Sequence, residues 1–371
     1  MPGFGSFEWL CKHAPLPQCN LFFSQLFNYN PGPRELLTLF PPTSPFFADY
    51  NVTVSSRAID PNVLLAVQHA GTGIGENCSI PRINQGGSAG DAGFVAVSGL
   101  AFLLGIMLIF HAGRRKAAVA RDEHRIFLGG FALLSALQAI TMSSMLEQGS
   151  TTLVVFSSLH TAWIAAFSYV FIANALVSAQ ILEDGSLLSL APLGIIVSLL
   201  FSGTLYISLS TGFHWNSVFF VTTSSPGELK NVPLFVLTVL WPTIAVFIYA
   251  ALMIFVLIVK LHELGPTADP PLRIGAGMQC LAPQSAALMI FVLIVKLHEL
   301  GPTALFSSAL LVFAVAQLIL LFASERVCNV SHRKVSAAFI WAIGNTVAVA
   351  LLHATWDLIT EDDWTDTFER Y

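Results

Sequence analysis

The sequence has few charged residues. Lys, Arg, Asp and Glu make up only 11% of its 371 residues, whereas soluble domains contain roughly 25%. Together with a hydrophobic fraction of 55%, this shortage excludes a water-soluble globular protein. The 17 basic residues are outnumbered by 22 acidic ones, and they form no basic patch of the kind that follows nucleic acid phosphates. We therefore expect no nucleic acid partner.

Sequence signals for catalysis and targeting are also missing. We find no nucleophilic-hydrolase motif, no Gly-rich phosphate-binding loop and no retinal-type lysine, since Lys260 and Lys296 lie at segment ends. The sequence thus predicts no cofactor and no catalytic residue. Residues 1–27 lack a basic start and an uninterrupted apolar run of seven or more residues, so they do not resemble a signal peptide. The first apolar span is then expected to direct membrane insertion.

Long apolar runs dominate the rest of the chain. A helix of about 20 residues crosses a hydrocarbon core about 30 Å thick, and an unpaired backbone group in lipid costs several kcal/mol, so each run is expected to be helical. We predict an all-α membrane protein, a seven-helix transmembrane bundle with a lumenal N-terminal segment at residues 1–92. The predicted spans are 93–111, 126–146, 153–179, 187–209, 233–259, 305–323 and 337–359.

Positive charge around the first span predicts the orientation. Five basic residues follow this span within about fifteen positions, whereas the nearest one before it is Arg82. The positive-inside rule places that loop in the cytosol and residues 1–92 in the lumen. Alternation of the spans then leaves residues 360–371 as a cytosolic tail. Arg326, Arg333 and Lys334 become lumenal on this assignment and argue mildly against it, but the first loop is more basic.

Four of the five cysteines fall on the predicted lumenal side. They are Cys11, Cys19, Cys78 and Cys328. An oxidising compartment permits disulfides between them, and the three possible pairings stay open.

The N-terminal segment also contains candidate glycosylation sites. Asn51 and Asn77 each begin an Asn-X-Ser/Thr triplet in the predicted lumenal region. Asn329 begins a third triplet, but it lies so close to two membrane ends that we do not expect its modification.

One sequence block occurs twice. Residues 250–268 and 286–304 share the same nineteen letters, AALMIFVLIVKLHELGPTA. Two identical copies do not suffice for a solenoid, which needs about three or more units. The second copy offers only a short apolar run, broken by Pro283 and Gln284, and we interpret it as an interfacial or re-entrant helix. If it crosses the membrane instead, the last two helices invert and the tail becomes lumenal.

Titratable residues inside the predicted spans are rare. His160 lies in the third span, and His353 and Asp357 lie one helical turn apart in the seventh. Such residues are costly in lipid and therefore draw attention as functional candidates. A zinc site in a membrane hydrolase is one interpretation, although catalytic zinc usually has three protein ligands. A packing or interfacial role is the interpretation we favour.

Short motifs distributed along the chain resemble one known family. Their order across seven spans carries the resemblance, since each is weak by itself. They are Phe4-Gly5-Ser6-Phe7 with Cys11 and with Leu16-Pro17 before Cys19, Glu76-Asn77-Cys78, Leu182-Glu183-Asp184-Gly185, residues 324–330 and residues 356–362. In these motifs the chain resembles the fungal chitin synthase export chaperones.

The resemblance implies a non-enzymatic chaperone of the endoplasmic reticulum membrane. Its client would be a polytopic chitin synthase, which it helps to fold and to leave in transport vesicles, and its other partners would be membrane lipid and vesicle-coat export machinery. Residues 28–71 are longer than the family pattern suggests, and the duplicated block with Cys280 departs from that pattern as well.

A lateral mechanism follows as a hypothesis. Small and amide residues in the spans would pair with client helices until the client bundle closes. The acidic cytosolic ends at Glu183, Asp184, Glu361 and Asp362 would contact export machinery or basic client loops. The alternative function is a seven-helix membrane receptor or an intramembrane metal-dependent hydrolase.

Overall fold

The structure is a computed structural model. It describes residues 4–14, 16–28, 91–114, 120–143, 145–146, 148–178, 181, 187–216, 229–263, 300–332 and 335–368.

Seven helices among the described residues are long and apolar enough to cross a membrane, which confirms the predicted seven-helix membrane fold. Two short helices come first, α1 (Glu8–His13) and α2 (Cys19–Asn28). The spanning helices are α3 (Ala92–Arg114), α4 (Arg121–Thr141), α5 (Thr151–Ser178), α6 (Leu187–Phe213), α7 (Val232–Phe235) continued by α8 (Trp241–Glu263), α9 (Leu300–Phe322) and α11 (Ala337–Phe368), with the short α10 (Ser324–Val330) before the last. An antiparallel β-bridge joins Ser6 to Lys230.

Helix boundaries differ from the predicted spans where charged residues flank an apolar run. The second span was predicted at 126–146, but α4 covers Arg121–Thr141 and has Asp122 and Glu123 in its first turn. Acidic residues are favourable at a helix N-terminus, so the backbone is helical before the apolar run begins. At the other end of the chain, α11 extends beyond the predicted 359 to Phe368, because helical hydrogen bonding continues past the end of the apolar run.

A π-helical turn, Val236–Leu240, joins α7 to α8. Pro242 follows directly in α8. Proline has no N–H to donate, and its ring collides with the carbonyl four residues earlier in a regular α-helix. We attribute the wider turn to that conflict, because π-turns accommodate such interruptions within a helix.

The spanning helices alternate in direction. One end of the bundle holds the starts of α3, α5, α7 and α11 and the ends of α4, α6 and α9. The residues that mark this end share one hydrophobic cluster: Phe94, Met142, Val154, Phe213, Leu234, Leu320 and Ala338. At the opposite side, Met253 late in α8 packs near Phe306 early in α9.

The duplicated block lies mostly outside the described residues. The structure describes 250–263 of the first copy and 300–304 of the second, both helical. The predicted interfacial helix of the second copy therefore lies outside the described part. Because α8 ends and α9 begins at the same end of the bundle, α9 and α11 keep the directions of a seven-span chain.

Glycines allow close helix contacts at several positions. A Cβ at Gly105 would lie 2.9 Å from the Ala132 Cβ, and one at Gly344 would lie 2.5 Å from the Ala316 Cβ. A Cβ at Gly130 would approach the Phe167 ring. These contacts join α3 to α4, α9 to α11 and α4 to α5. Small residues at helix crossings permit such van der Waals packing within a membrane.

Candidate functional site

The first described residues form a plug at one end of the bundle. We use the term N-terminal plug for residues 4–7 with α1 and α2. Six of its apolar side chains are at most 5% exposed, namely Phe7, Leu10, Leu21, Phe22, Phe23 and Leu26. The segment predicted as a separate N-terminal region thus begins with residues that fill the end of the helix bundle.

Gly5 has a structural role in the plug. Its φ of +85° lies in the region that favours glycine, and a Cβ there would lie 2.7 Å from Val232 Cγ2. The Gly5 carbonyl accepts a hydrogen bond from the Asn231 N–H at 2.9 Å, and the Phe7 N–H donates to the Leu229 carbonyl. The motif Phe4-Gly5-Ser6-Phe7 therefore fastens the chain start to the segment before α7.

Asn231 links three parts of the same end. Its side-chain oxygen accepts a hydrogen bond from the Leu234 N–H at 3.1 Å and caps α7, and its amide nitrogen donates to the Thr211 hydroxyl of α6 at 2.9 Å. In α2, the Asn20 amide donates to the Ser157 hydroxyl of α5 at 3.1 Å. Asn20 and Asn231 thus pair buried polar groups between elements at this end, as burial favours.

A disulfide joins Cys11 to Cys19, with the two Cα atoms 5.6 Å apart. Both residues are buried, at 2% and 0% exposure. The bond ties α1 to the start of α2. Cys328 lies in α10, between the end of α9 and the start of α11 and hence at the plug end, whereas Cys78 lies outside the described residues.

At the opposite end of the bundle, three histidines and an aspartate converge. We call His111 of α3, His124 of α4 and His353 and Asp357 of α11 the histidine cluster. The His353 ring stands in the middle, since its Nε2 lies 3.0 Å from His111 Nδ1 and its Nδ1 lies 3.0 Å from His124 Nε2. The Asp357 carboxylate lies 3.9 Å from His111 Nδ1.

Each contact between two imidazole nitrogens needs one hydrogen, so one ring must donate and the other accept. Neutral rings satisfy both contacts when the central His353 ring accepts a hydrogen bond at one nitrogen and donates one from the other. The Trp356 indole stacks on the His124 ring at 4.5 Å between centroids and packs with Phe127 and Val170 in the core of this end. His124 and His353 are buried, whereas the His111 side chain is 47% exposed.

The cluster contains two of the three residues named for the alternative metal interpretation. His353 and Asp357 do lie together, but His160 is not with them. It lies in the half of α5 near the plug, one turn from Ser157, which contacts Asn20. It is fully buried, and neither of its ring nitrogens has a hydrogen-bond partner among the described residues.

Sequence reasoning missed His111 and His124. His111 was the last residue of the first predicted span, and His124 lies two positions before the second. Both therefore border the same loop, at the end where the seventh predicted span also finishes. That shared end was the available signal, but the prediction named only titratable residues between the ends of a span, as His160, His353 and Asp357 are.

The other predicted site residues have limited structural description. Asn51, Asn77, Glu183 and Asp184 lie outside the described residues. Glu361 and Asp362 belong to the helical extension of α11. Their roles remain predictions.

The chain matches the family of chitin synthase export chaperones over residues 3–274 and 284–369. The omitted residues, 275–283, lie between the two copies of the repeat. A chitin synthase export chaperone of Gibberella zeae is 24% identical over 98% of this chain and 84% of its own length. Those of Chaetomium globosum and Fusarium oxysporum are 22% and 23% identical, over 97% and 98% of this chain and 84% of theirs.

No solved structure matches the chain. The family match covers nearly the whole sequence, including all seven spanning helices, both parts of the N-terminal plug and the four residues of the histidine cluster. The chain belongs to the chitin synthase export chaperone family.

Proposed function

We propose that this chain escorts a chitin synthase out of the endoplasmic reticulum and acts without catalysing a reaction. The observation that carries the proposal is the family match over nearly the whole chain. The seven apolar helices agree with a protein that meets a polytopic client within the membrane. Loss of the escort would retain the synthase in the endoplasmic reticulum and lower the chitin content of the cell wall.

We further propose that the plug end faces the lumen and the histidine cluster faces the cytosol. The plug end carries the Cys11–Cys19 disulfide, which suits an oxidising compartment. The opposite end carries Arg114, Arg121 and Arg125, which suits the cytosolic side. Glycosylation at Asn51 or Asn77 would agree with this orientation.

The client contact in this proposal lies on the outer face of α6. Only 11% of the most apolar stretch of α6 is buried, against 61% for α5. Its exposed face includes Gly194, Ser198, Ser202 and Gly203, and a Cβ at either glycine would meet nothing within 4 Å. Small residues allow a second helix to approach closely, and hydroxyl groups allow it to hydrogen-bond.

The acidic residues Glu183, Asp184, Glu361 and Asp362 are proposed to act at the cytosolic side. They would contact vesicle-coat export machinery or basic loops of the client. Charge reversal at Glu361 and Asp362 tests this part separately. We expect slower client export with the chaperone itself still in the membrane, and unchanged client export would contradict it.

Deletion and complementation in the host fungus test the function. We expect a fluorescent chitin synthase to stay in the endoplasmic reticulum without this chain, and to reach the cell surface when the wild-type chain is restored. Normal synthase delivery and normal wall chitin after deletion would contradict the escort function.

Two variants then locate the contact. Gly203→Leu fills open space on α6 and should block export, whereas Gly99→Leu fills open space on α3 and should not. Equal export with both variants would remove α6 as the contact and leave the escort function standing. A receptor, by contrast, would itself be found at the plasma membrane.

A further inference from the structure

The ligand atoms of the histidine cluster converge on one point. His111, His353 and Asp357 each offer one ligand atom, and these three atoms all lie within 4.8 Å of one another. Two of them come from the same face of α11, because residues four positions apart lie one above the other on a helix. The third comes from α3, so the set bridges the first and last spanning helices.

We propose that His111, His353 and Asp357 bind a divalent transition-metal ion of the zinc class. Imidazole and carboxylate are ligands that such ions prefer. Three protein ligands leave one coordination position for water, which is the arrangement of an open zinc site. This site is independent of the escort function, and neither requires the other.

The two separations from His111 Nδ1 fit an ion after a small movement of that side chain, and the third, between His353 and Asp357, is within 4.8 Å. Two ligands about 2.1 Å from a tetrahedral ion are about 3.4 Å apart. The separation from His111 Nδ1 to His353 Nε2 is 3.0 Å and that from His111 Nδ1 to Asp357 Oδ1 is 3.9 Å. The first separation must increase and the second must decrease, each by about half an ångström. Both changes involve His111, which can move because its side chain is 47% exposed.

His124 supplies the outer contact that metal-binding histidines usually have. With its Nε2 on the ion, His353 carries its hydrogen on Nδ1 and donates it to His124 Nε2 at 3.0 Å. The stacked Trp356 ring holds the His124 imidazole in that position. His124 Nδ1 is buried without a hydrogen-bond partner among the described residues. Within that part of the chain, the His124 ring therefore forms its hydrogen bond through Nε2, with His353.

Metal titration of the purified full-length protein in detergent tests the proposal. After treatment with a chelator, the wild-type chain should bind a single Zn²⁺ and should give a visible absorption spectrum with Co²⁺. His111→Gln and Asp357→Asn should each weaken Zn²⁺ binding by at least about tenfold, since loss of even an outer-shell partner costs 10–100-fold. Zn²⁺ should raise the Tm of the wild type but not of His111→Gln.

Two matched variants control for nonspecific binding. Asp122→Asn changes a half-exposed aspartate at the same end, and His332→Asn changes an exposed histidine at the other end whose φ of +52° suits asparagine. Both should bind Zn²⁺ like the wild type. His124→Gln, whose amide oxygen can still accept from His353, should bind more tightly than His124→Leu.

Two outcomes would overturn the proposal. One is no Zn²⁺ or Co²⁺ binding by the wild type, which would leave the cluster as a hydrogen-bonded row of imidazoles. The other is equal binding by the wild type, His111→Gln and Asp357→Asn. The exposed position of His111 keeps its variant informative, because little packing is lost there.

Discussion

The two ends of the bundle are built in different ways. At the plug end, aromatic side chains fill the space between seven helix ends, a disulfide closes the plug, and polar side chains such as Asn20 and Asn231 pair between elements. At the opposite end, three imidazoles and a carboxylate lie in mutual contact, and His111 is accessible from outside. One end is organised for stability, and the other keeps titratable groups close together. Substitutions at the plug end should therefore cost more stability than matched ones at the histidine end.

Removal of the disulfide should have the largest effect on stability. The bond closes a separation of eight residues in the chain, for which loop-closure entropy contributes about 2–3 kcal/mol to the free energy of unfolding. Cys11→Ala with Cys19→Ala should lower the midpoint of denaturant unfolding in detergent accordingly. Reducing agent should lower the wild-type midpoint to the same level and leave the double variant unchanged. A wild type insensitive to full reduction would contradict the role given to this bond.

A methyl group added at Gly212 should have the next largest effect. A Cβ there would lie 2.4 Å from Val154 Cγ1, and overpacking of this kind costs about 1–3 kcal/mol. Gly212→Ala should therefore lower Tm. Gly203→Ala on the same helix α6 meets nothing within 4 Å and should leave Tm unchanged or slightly higher, because alanine is the better helix former. A similar loss in both variants would show that α6 does not pack as described.

Two aspartates allow the smallest and most direct comparison between the ends. Asp91 at the plug end accepts a hydrogen bond from the Phe94 N–H at 3.0 Å and another from the hydroxyl of Ser336, the residue directly before α11. Asp122 at the histidine end pairs with Arg121 and Arg125 and is 45% exposed. Asp91→Ala should lower the free energy of unfolding by about 1–2 kcal/mol through loss of the cap, and Asp122→Ala by less than about 1 kcal/mol. Equal losses in denaturant unfolding would contradict the contrast between the ends.

The sequence was sufficient to predict the number of spanning helices, but it did not predict the residues at which they begin and end. An apolar run near twenty residues long has one stable solution in lipid, because all backbone groups must be paired within the segment. Helical hydrogen bonding does not stop where the apolar run stops, and so α4 includes the charged residues at 121–125 and α11 includes Glu361 and Asp362. The resemblance to chitin synthase export chaperones was confirmed by the match over nearly the whole chain.

The N-terminal plug could not be predicted as a buried element. Its apolar residues occur in runs too short to signal a span, and their burial depends on a space that exists only after seven helices have assembled. The motif at Gly5 was recognised, but its reason is the backbone conformation and the nearby Val232 side chain. That contact joins residues more than two hundred positions apart.

The histidine cluster shows the same limit at the functional level. Helical periodicity predicted that His353 and Asp357 share a face of the last helix, since they lie one turn apart. It could not choose among the histidines of the other helices, and His160 was considered because it lies inside a span. Helix packing instead brings His111, 242 positions away along the chain, to 3.0 Å from His353.

Composition and the lengths of the apolar runs determined that this chain is a seven-helix membrane protein, because a helix pairs all backbone polar groups within a single apolar run. Tertiary structure decided which polar residues meet at each end of the bundle. Helix–helix packing depends on side-chain shape over the whole bundle, and no local pattern records which helices become neighbours.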